Sequence, residues 1–131
     1  MVETSCQTTE EKRLLYWELK TGAETGWDFS SRWFINTNQK GNSNENHGNL
    51  KDTKPRSIIP VDLNSMLAEN AGILSTYYKD YFGDEETSMR YKHIRHDIVQ
   101  GIEHLLWNED EGAWFDYDLI HGKQRKYFTP R

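Results

Sequence analysis

Two long helical patterns separated by only a Gly-Asp pair constrain this chain more than any other feature. From about Asp62 to Phe82, Leu63, Leu67, Asn70, Leu74, Tyr78 and Tyr81 recur at helical spacing, and Met66, Ile73 and Tyr77 widen the stripe. From about Glu85 to Trp107, Tyr91, Ile94, Ile98, Ile102 and Leu105 form a second stripe, while Glu85, Glu86, Lys92 and Arg95 fall on the polar side. Pro60 precedes the first helix, Asp62 is placed to cap its first turn, and Gly83-Asp84 closes it and caps the next. So short a joint forces the two helices antiparallel, an αα-hairpin. Two broad stripes on one hairpin have no partners within 131 residues, so neither is covered by this chain alone. The fold class expected is mainly α.

The rest of the pattern is shorter. Thr8 to Glu11 reads as a capping box opening a helix to about Lys20, with Gly22 suited to its C-terminal turn. Residues 36–57 are rich in Asn, Gly, Ser and Lys without apolar periodicity, which predicts a flexible surface loop with too little apolar area to offset ordering entropy. Ala113 to Leu119 alternates as a strand, and His121-Gly122-Lys123 turns the chain back into Gln124 to Phe128, a small C-terminal β-hairpin. Asp116 and Asp118 share one face of that strand and are read as structural.

A net charge of −5 with no lysine or arginine cluster excludes a nucleic-acid footprint. Cys6 is the sole cysteine, so no internal disulfide or cysteine metal site forms. His93, His96 and His104 do not follow H-E-x-x-H spacing, and Asn108 to Glu111 lacks the ligand pattern of a calcium loop. No metal and no organic cofactor is expected. No hydrophobic run approaches membrane length.

Chemistry concentrates at Trp27-Asp28-Phe29-Ser30-Ser31-Arg32-Trp33, introduced by Thr25-Gly26. Aromatic walls disfavour the charged form of a carboxyl beside them, which is what a general acid at neutral pH requires. Indole faces also suit the C–H surfaces of sugar rings. The competing reading is a core turn that buries its aromatics, with Asp28 and Arg32 paired.

Gly22-Ala23-Glu24-Thr25-Gly26-Trp27-Asp28-Phe29-Ser30-Ser31-Arg32-Trp33-Phe34 closely resembles the segment carrying the catalytic acid in trehalases, with Thr25 where that family usually has serine. Val2 to Ser5, Tyr16 to Lys20, Ile59 to Ser65 and Trp107 to Asp118 resemble flanking family segments in the same order, so the likeness covers essentially the whole chain. It implies an α/α toroid, a ring of α-hairpins of which this chain is a piece. It also implies inverting hydrolysis of α,α-trehalose. Asp28 takes the acid position, and Gly26, Trp27, Arg32 and Asn64 fall where substrate contacts are expected. A glutamate base lies outside this chain. The family's P-G-G-R-F, R-P-E-S and Q-W-D-x-P motifs are missing here. Residues 1–131 are therefore expected to be a partial catalytic domain, incomplete at both ends and inactive alone. Two alternatives stay open. One is a non-catalytic sugar-binding or interaction fragment that keeps half a site. The other is a different toroid glycosidase of the glucoamylase kind.

Overall fold

The computed structural model describes residues 8–28, 30–35 and 52–126. Cys6, most of the Asn-rich segment and the last five residues lie outside them. The chain divides into two compact units, residues 1–58 with 128–131, and residues 59–127.

In the first unit, helix α1 spans Thr9–Glu24. Its start is the predicted capping box: Glu11 N–H donates to Thr8 Oγ1 (3.2 Å) and Thr8 N–H to Glu11 Oε2 (3.0 Å). Its end differs from expectation. The helix runs four residues past Lys20, Gly22 lies inside it, and Gly26 (φ +74°) takes the left-handed stop position. Leu15, Glu18 and Gly22 form the buried face. Against it lies a 3-10 turn, Pro55–Ser57, whose Arg56 N–H donates to Glu18 Oε2 (3.2 Å). The ring of Trp17, on the same helix, has the guanidinium carbon of Arg13 at 4.9 Å and that of Arg56, from the 3-10 turn, at 5.4 Å. The segment expected to be flexible through residue 57 thus carries regular structure from residue 52 onward, including an antiparallel bridge between Phe34 and Thr53.

In the second unit, helices α2 (Val61–Asp80) and α3 (Glu85–Leu105) form the expected hairpin, joined through Tyr81–Asp84. Asp84 caps α3 by accepting from Thr87 N–H (2.9 Å). Asp62 does not cap α2. The cap position is Pro60, which has no side-chain acceptor, and Asp116 Oδ1 accepts from Val61 N–H (3.0 Å), while Asp62 Oδ1 accepts from its neighbour Leu63 (2.9 Å).

The hairpin seam runs mainly along small side chains and takes only Tyr78 and Tyr91 from the apolar stripes. Ala68, Ala71 and Ser88 are the buried residues of these helices. Ser75 and Ser88 donate reciprocally to each other's carbonyls at 2.9 and 2.8 Å, and Tyr78 stacks on Tyr91 with centroids 5.6 Å apart. Residues 68, 71 and 75 recur at three- and four-residue steps, a narrow row of small side chains that lets two helices approach closely, and Tyr78 continues the row. The larger side chains, Met66, Leu67, Ile73, Leu74, Tyr77 and Ile94, are exposed, as expected for stripes without partners in this chain.

The predicted strand from Ala113 to Leu119 is broken in two. Strand β2 (Trp107–Asn108) pairs antiparallel with β3 (Ala113–Trp114), and β4 (Tyr117–Asp118) with β5 (Lys123–Gln124). A further two-residue strand, Ile58–Ile59, stands at the division between the units. The break falls at Phe115 and Asp116, because Phe115 is buried and Asp116 is diverted to the start of α2. Gln124 ties the second hairpin to the end of α3, donating to the carbonyls of Leu105 (3.0 Å) and Trp107 (2.8 Å) and accepting from Asn108 (2.6 Å). No helix among the described residues is long and apolar enough to cross a membrane.

Candidate active site

The loop carrying Asp28 begins where α1 stops. Thr25 Oγ1 donates to the Gly22 carbonyl (2.6 Å) and accepts from Trp27 N–H (3.2 Å), so one hydroxyl both closes the helix and sets the direction of the chain leaving it. Gly26 N–H returns to the Ala23 carbonyl (3.2 Å). With that donor engaged and φ positive, the glycine is accounted for by the turn itself.

Beyond Asp28 the loop folds back on itself. Ser30 N–H donates to the Trp27 carbonyl (3.1 Å), and Ser30 Oγ caps the 3-10 turn Ser31–Trp33 by accepting from Arg32 N–H (3.3 Å). The Trp33 indole N–H reaches the Trp27 carbonyl (2.7 Å), bracing the residue next to the carboxylate. Trp33 is 1% exposed, so it is core and not a sugar platform. Arg32, also buried, has its guanidinium carbon 5.0 Å from the Trp27 ring and 5.8 Å from the Trp33 ring. A cation over indole faces is attracted by the ring quadrupole, which fixes Arg32 behind the loop. Among the described residues no ion pair joins Asp28 to Arg32, so the pairing offered by the core-turn reading is not formed.

Asp28 is exposed. Of the aromatic residues expected around it, Trp33 is buried in the core and Trp27 is half-buried. Four of the five predicted site residues, Gly26, Trp27, Asp28 and Arg32, therefore belong to one local construction. Asn64 belongs to the other unit, in the first turn of α2. There its Nδ2 donates to the Pro60 carbonyl (2.7 Å), and its own N–H bonds the same atom (3.3 Å).

The Trehalase family model matches residues 1–131. The chain belongs to the trehalase family. It is 43% identical over 130 residues to the trehalase of Apis mellifera, covering 99% of this chain and 20% of that protein. To the trehalase of Oryctolagus cuniculus it is 40% identical over 116 residues, covering 88% and 19%. To the periplasmic trehalase of an Escherichia coli strain it is 36% identical over 115 residues, covering 88% and 18%. The chain thus spans about a fifth of the length of the curated relatives it matches. Its mainly helical structure agrees with the α/α toroid of the trehalase family.

Two residues escaped the sequence reading. Asp116 caps α2, a pairing across 55 positions that no local pattern announces. Glu18 is buried on α1 at 7% exposure. Its signal was available, because it shares the 15-18-22 helical face with Leu15 and Gly22.

Proposed function

We propose that this chain carries the acid half of a trehalose-hydrolysing site and that Asp28 is the general acid. Support comes from the exposed carboxylate on a loop braced from behind by the Trp33 indole, Thr25 and Ser30. An acid must reach its substrate oxygen and must not wander. Exposure gives the first and the braced backbone the second.

In this mechanism Asp28 gives its proton to the oxygen bridging the two glucoses, and the leaving sugar departs as an alcohol. A glutamate outside this chain removes a proton from water on the opposite face of the ring, and the anomeric centre inverts. Carboxyl groups in such a pair stand roughly 6.5–9.5 Å apart, which leaves room for the water. Gly26 lets substrate approach the backbone, Trp27 presents the part of its ring that Arg32 leaves uncovered, Arg32 holds that ring in place, and Asn64 contacts a sugar hydroxyl. No metal or cofactor enters.

The test is Asp28→Asn in a complete trehalase carrying this segment. Turnover of trehalose should fall by at least about 10²–10⁴-fold, the usual share of general acid catalysis, with KM little changed. Near-normal turnover would remove Asp28 from the mechanism. The 131-residue chain alone should release no glucose. Activity that Asp28→Asn abolishes in the chain alone would instead place the base within it and support a self-sufficient site.

A further inference from the structure

We infer that Glu18 is a positioning residue for the acid loop: its buried carboxylate ties residues 52–57 to α1, and through them fixes the backbone beside Asp28. The inference rests on Asp28 being the acid of the proposed reaction.

A glutamate in the middle of an exposed helix ordinarily sits in water, and burying its carboxylate is costly unless a donor meets it. Glu18 is 7% exposed, and its Oε2 accepts the Arg56 backbone N–H at 3.2 Å. That bond anchors a relay of backbone contacts. Arg56 follows buried Pro55, and Lys54 N–H donates to the Trp33 carbonyl at 2.8 Å. Thr53, also buried, bridges Phe34, and Ile35 N–H reaches the Asp52 carbonyl (3.4 Å). Residues 33–35 are thereby held as a short antiparallel ladder against 52–54. Trp33 then passes the constraint on through its indole N–H to the Trp27 carbonyl (2.7 Å), one residue before the carboxylate.

Every link joins residues of the first unit, so the relay needs nothing from the second. The acid loop is held both by bonds within its own turn and by bonds from outside it. Thr25 and Ser30 act within it, whereas the Lys54–Trp33 and Glu18–Arg56 bonds reach segments distant in sequence. Cutting the relay at Glu18 releases the loop without touching any group that meets substrate.

A residue that merely stabilises lowers the melting temperature and leaves turnover of the folded enzyme alone. A positioning residue changes kcat, because small displacements of a catalytic group are heavily penalised. In a complete trehalase carrying this segment, Glu18→Ala should lower kcat by about tenfold or more. KM should stay within about twofold. Glu18→Gln, which keeps a carbonyl acceptor of the same reach, should recover most of the lost kcat. Glu18→Met, which keeps the volume without the acceptor, replaces the alanine variant if that one is insoluble. In the 131-residue chain the Trp33 indole N–H should exchange about tenfold faster in Glu18→Ala and return towards the parent rate in Glu18→Gln. Unchanged kcat in the folded Ala or Met variant, or an unchanged indole, overturns the inference. Faster indole exchange together with an active Asp28→Asn enzyme would keep the relay and refute the acid assignment instead.

Discussion

Asp116→Ala should fray the start of α2, and the comparison with Asp116→Asn measures why. Helix α2 is 20 residues long and begins behind a proline that offers no side-chain acceptor. Its first N–H is met from 55 positions away by Asp116 Oδ1 at 3.0 Å. Alanine removes both the acceptor and a negative charge at the positive end of the helix. Loss of a capping acceptor costs about 1 kcal/mol, and loss of the charge adds about 0.5 kcal/mol. The total, about 1.5 kcal/mol, corresponds to roughly tenfold faster opening of the first turn. Asparagine keeps an acceptor and forfeits only the charge, so its effect should be about twofold.

Native-state hydrogen exchange reads this locally, at the Val61 and Asn64 amides, with α3 amides in the same sample as control. Asp62→Ala provides the decisive contrast. Asp62 Oδ1 accepts from the adjacent Leu63 N–H (2.9 Å), whereas the Val61 N–H goes to Asp116, so loss of Asp62 should speed Val61 exchange less than Asp116→Ala. If Asp62→Ala had the larger effect, the cap would be local after all. If Asp116→Ala and Asp116→Asn exchanged alike, charge and not the hydrogen bond would be the whole contribution.

Gly26→Ala should destabilise the end of α1 by about 1 kcal/mol because φ there is +74°, whereas Gly22→Ala, whose added carbon would lie an ordinary 3.8 Å from Pro55 Cγ, should stabilise it by about 0.5–1 kcal/mol; amide exchange in α1 distinguishes the signs. Burial pushes the Asp118 carboxyl up, but the hydrogen bonds from the His121 ring and from the His121 and Ile120 amides outweigh it and hold the carboxyl below its usual range. A depressed carboxyl stabilises above its unfolded value, so the turn at 118–122 should loosen as pH falls below about 4. NMR titration of the Ile120 and His121 amides should show that step in the parent chain, and its persistence in Asp118→Asn would assign it elsewhere.

What the sequence made legible was whatever is encoded within a few residues. The Thr8–Glu11 box, the Asp84 cap and the hairpin joint all depend on contacts three or four positions apart, and all formed. The failures were failures of range or of size. The α1 stop was placed at Gly22 because a glycine near a helix end suggests one, but Gly22 is buried beside Pro55 and the left-handed turn waited for Gly26. The α2 cap was assigned to Asp62 because the true acceptor lay 55 residues away. The large apolar side chains form the stripes that this chain leaves uncovered, while the seam between α2 and α3 falls on alanines and serines, which no apolar pattern marks. At the acid loop the segment 25–33 could be picked out by composition, but not that Trp33 would be buried in the core while Asp28 is exposed.

That orientation carries the main physical consequence for the site. The motif reads as a carboxylate surrounded by indoles, yet Trp33 is spent on the core and on the Trp27 carbonyl, and Arg32 covers part of Trp27. Trp33 and the Arg32–Trp27 contact therefore build rigidity into the backbone beside Asp28. Rigidity of this kind is produced by backbone hydrogen bonds and buried side chains drawn from α1, the loop and residues 52–57, all in one unit. A low-polarity environment would need apolar surfaces enclosing the carboxylate, which is exposed here. On the proposed assignment, placement of Asp28 is a local property of this stretch, and its protonation in a working site is a property of whatever encloses it. The two are separable by experiment: Glu18 variants act on placement, and Asp28→Asn on the proton.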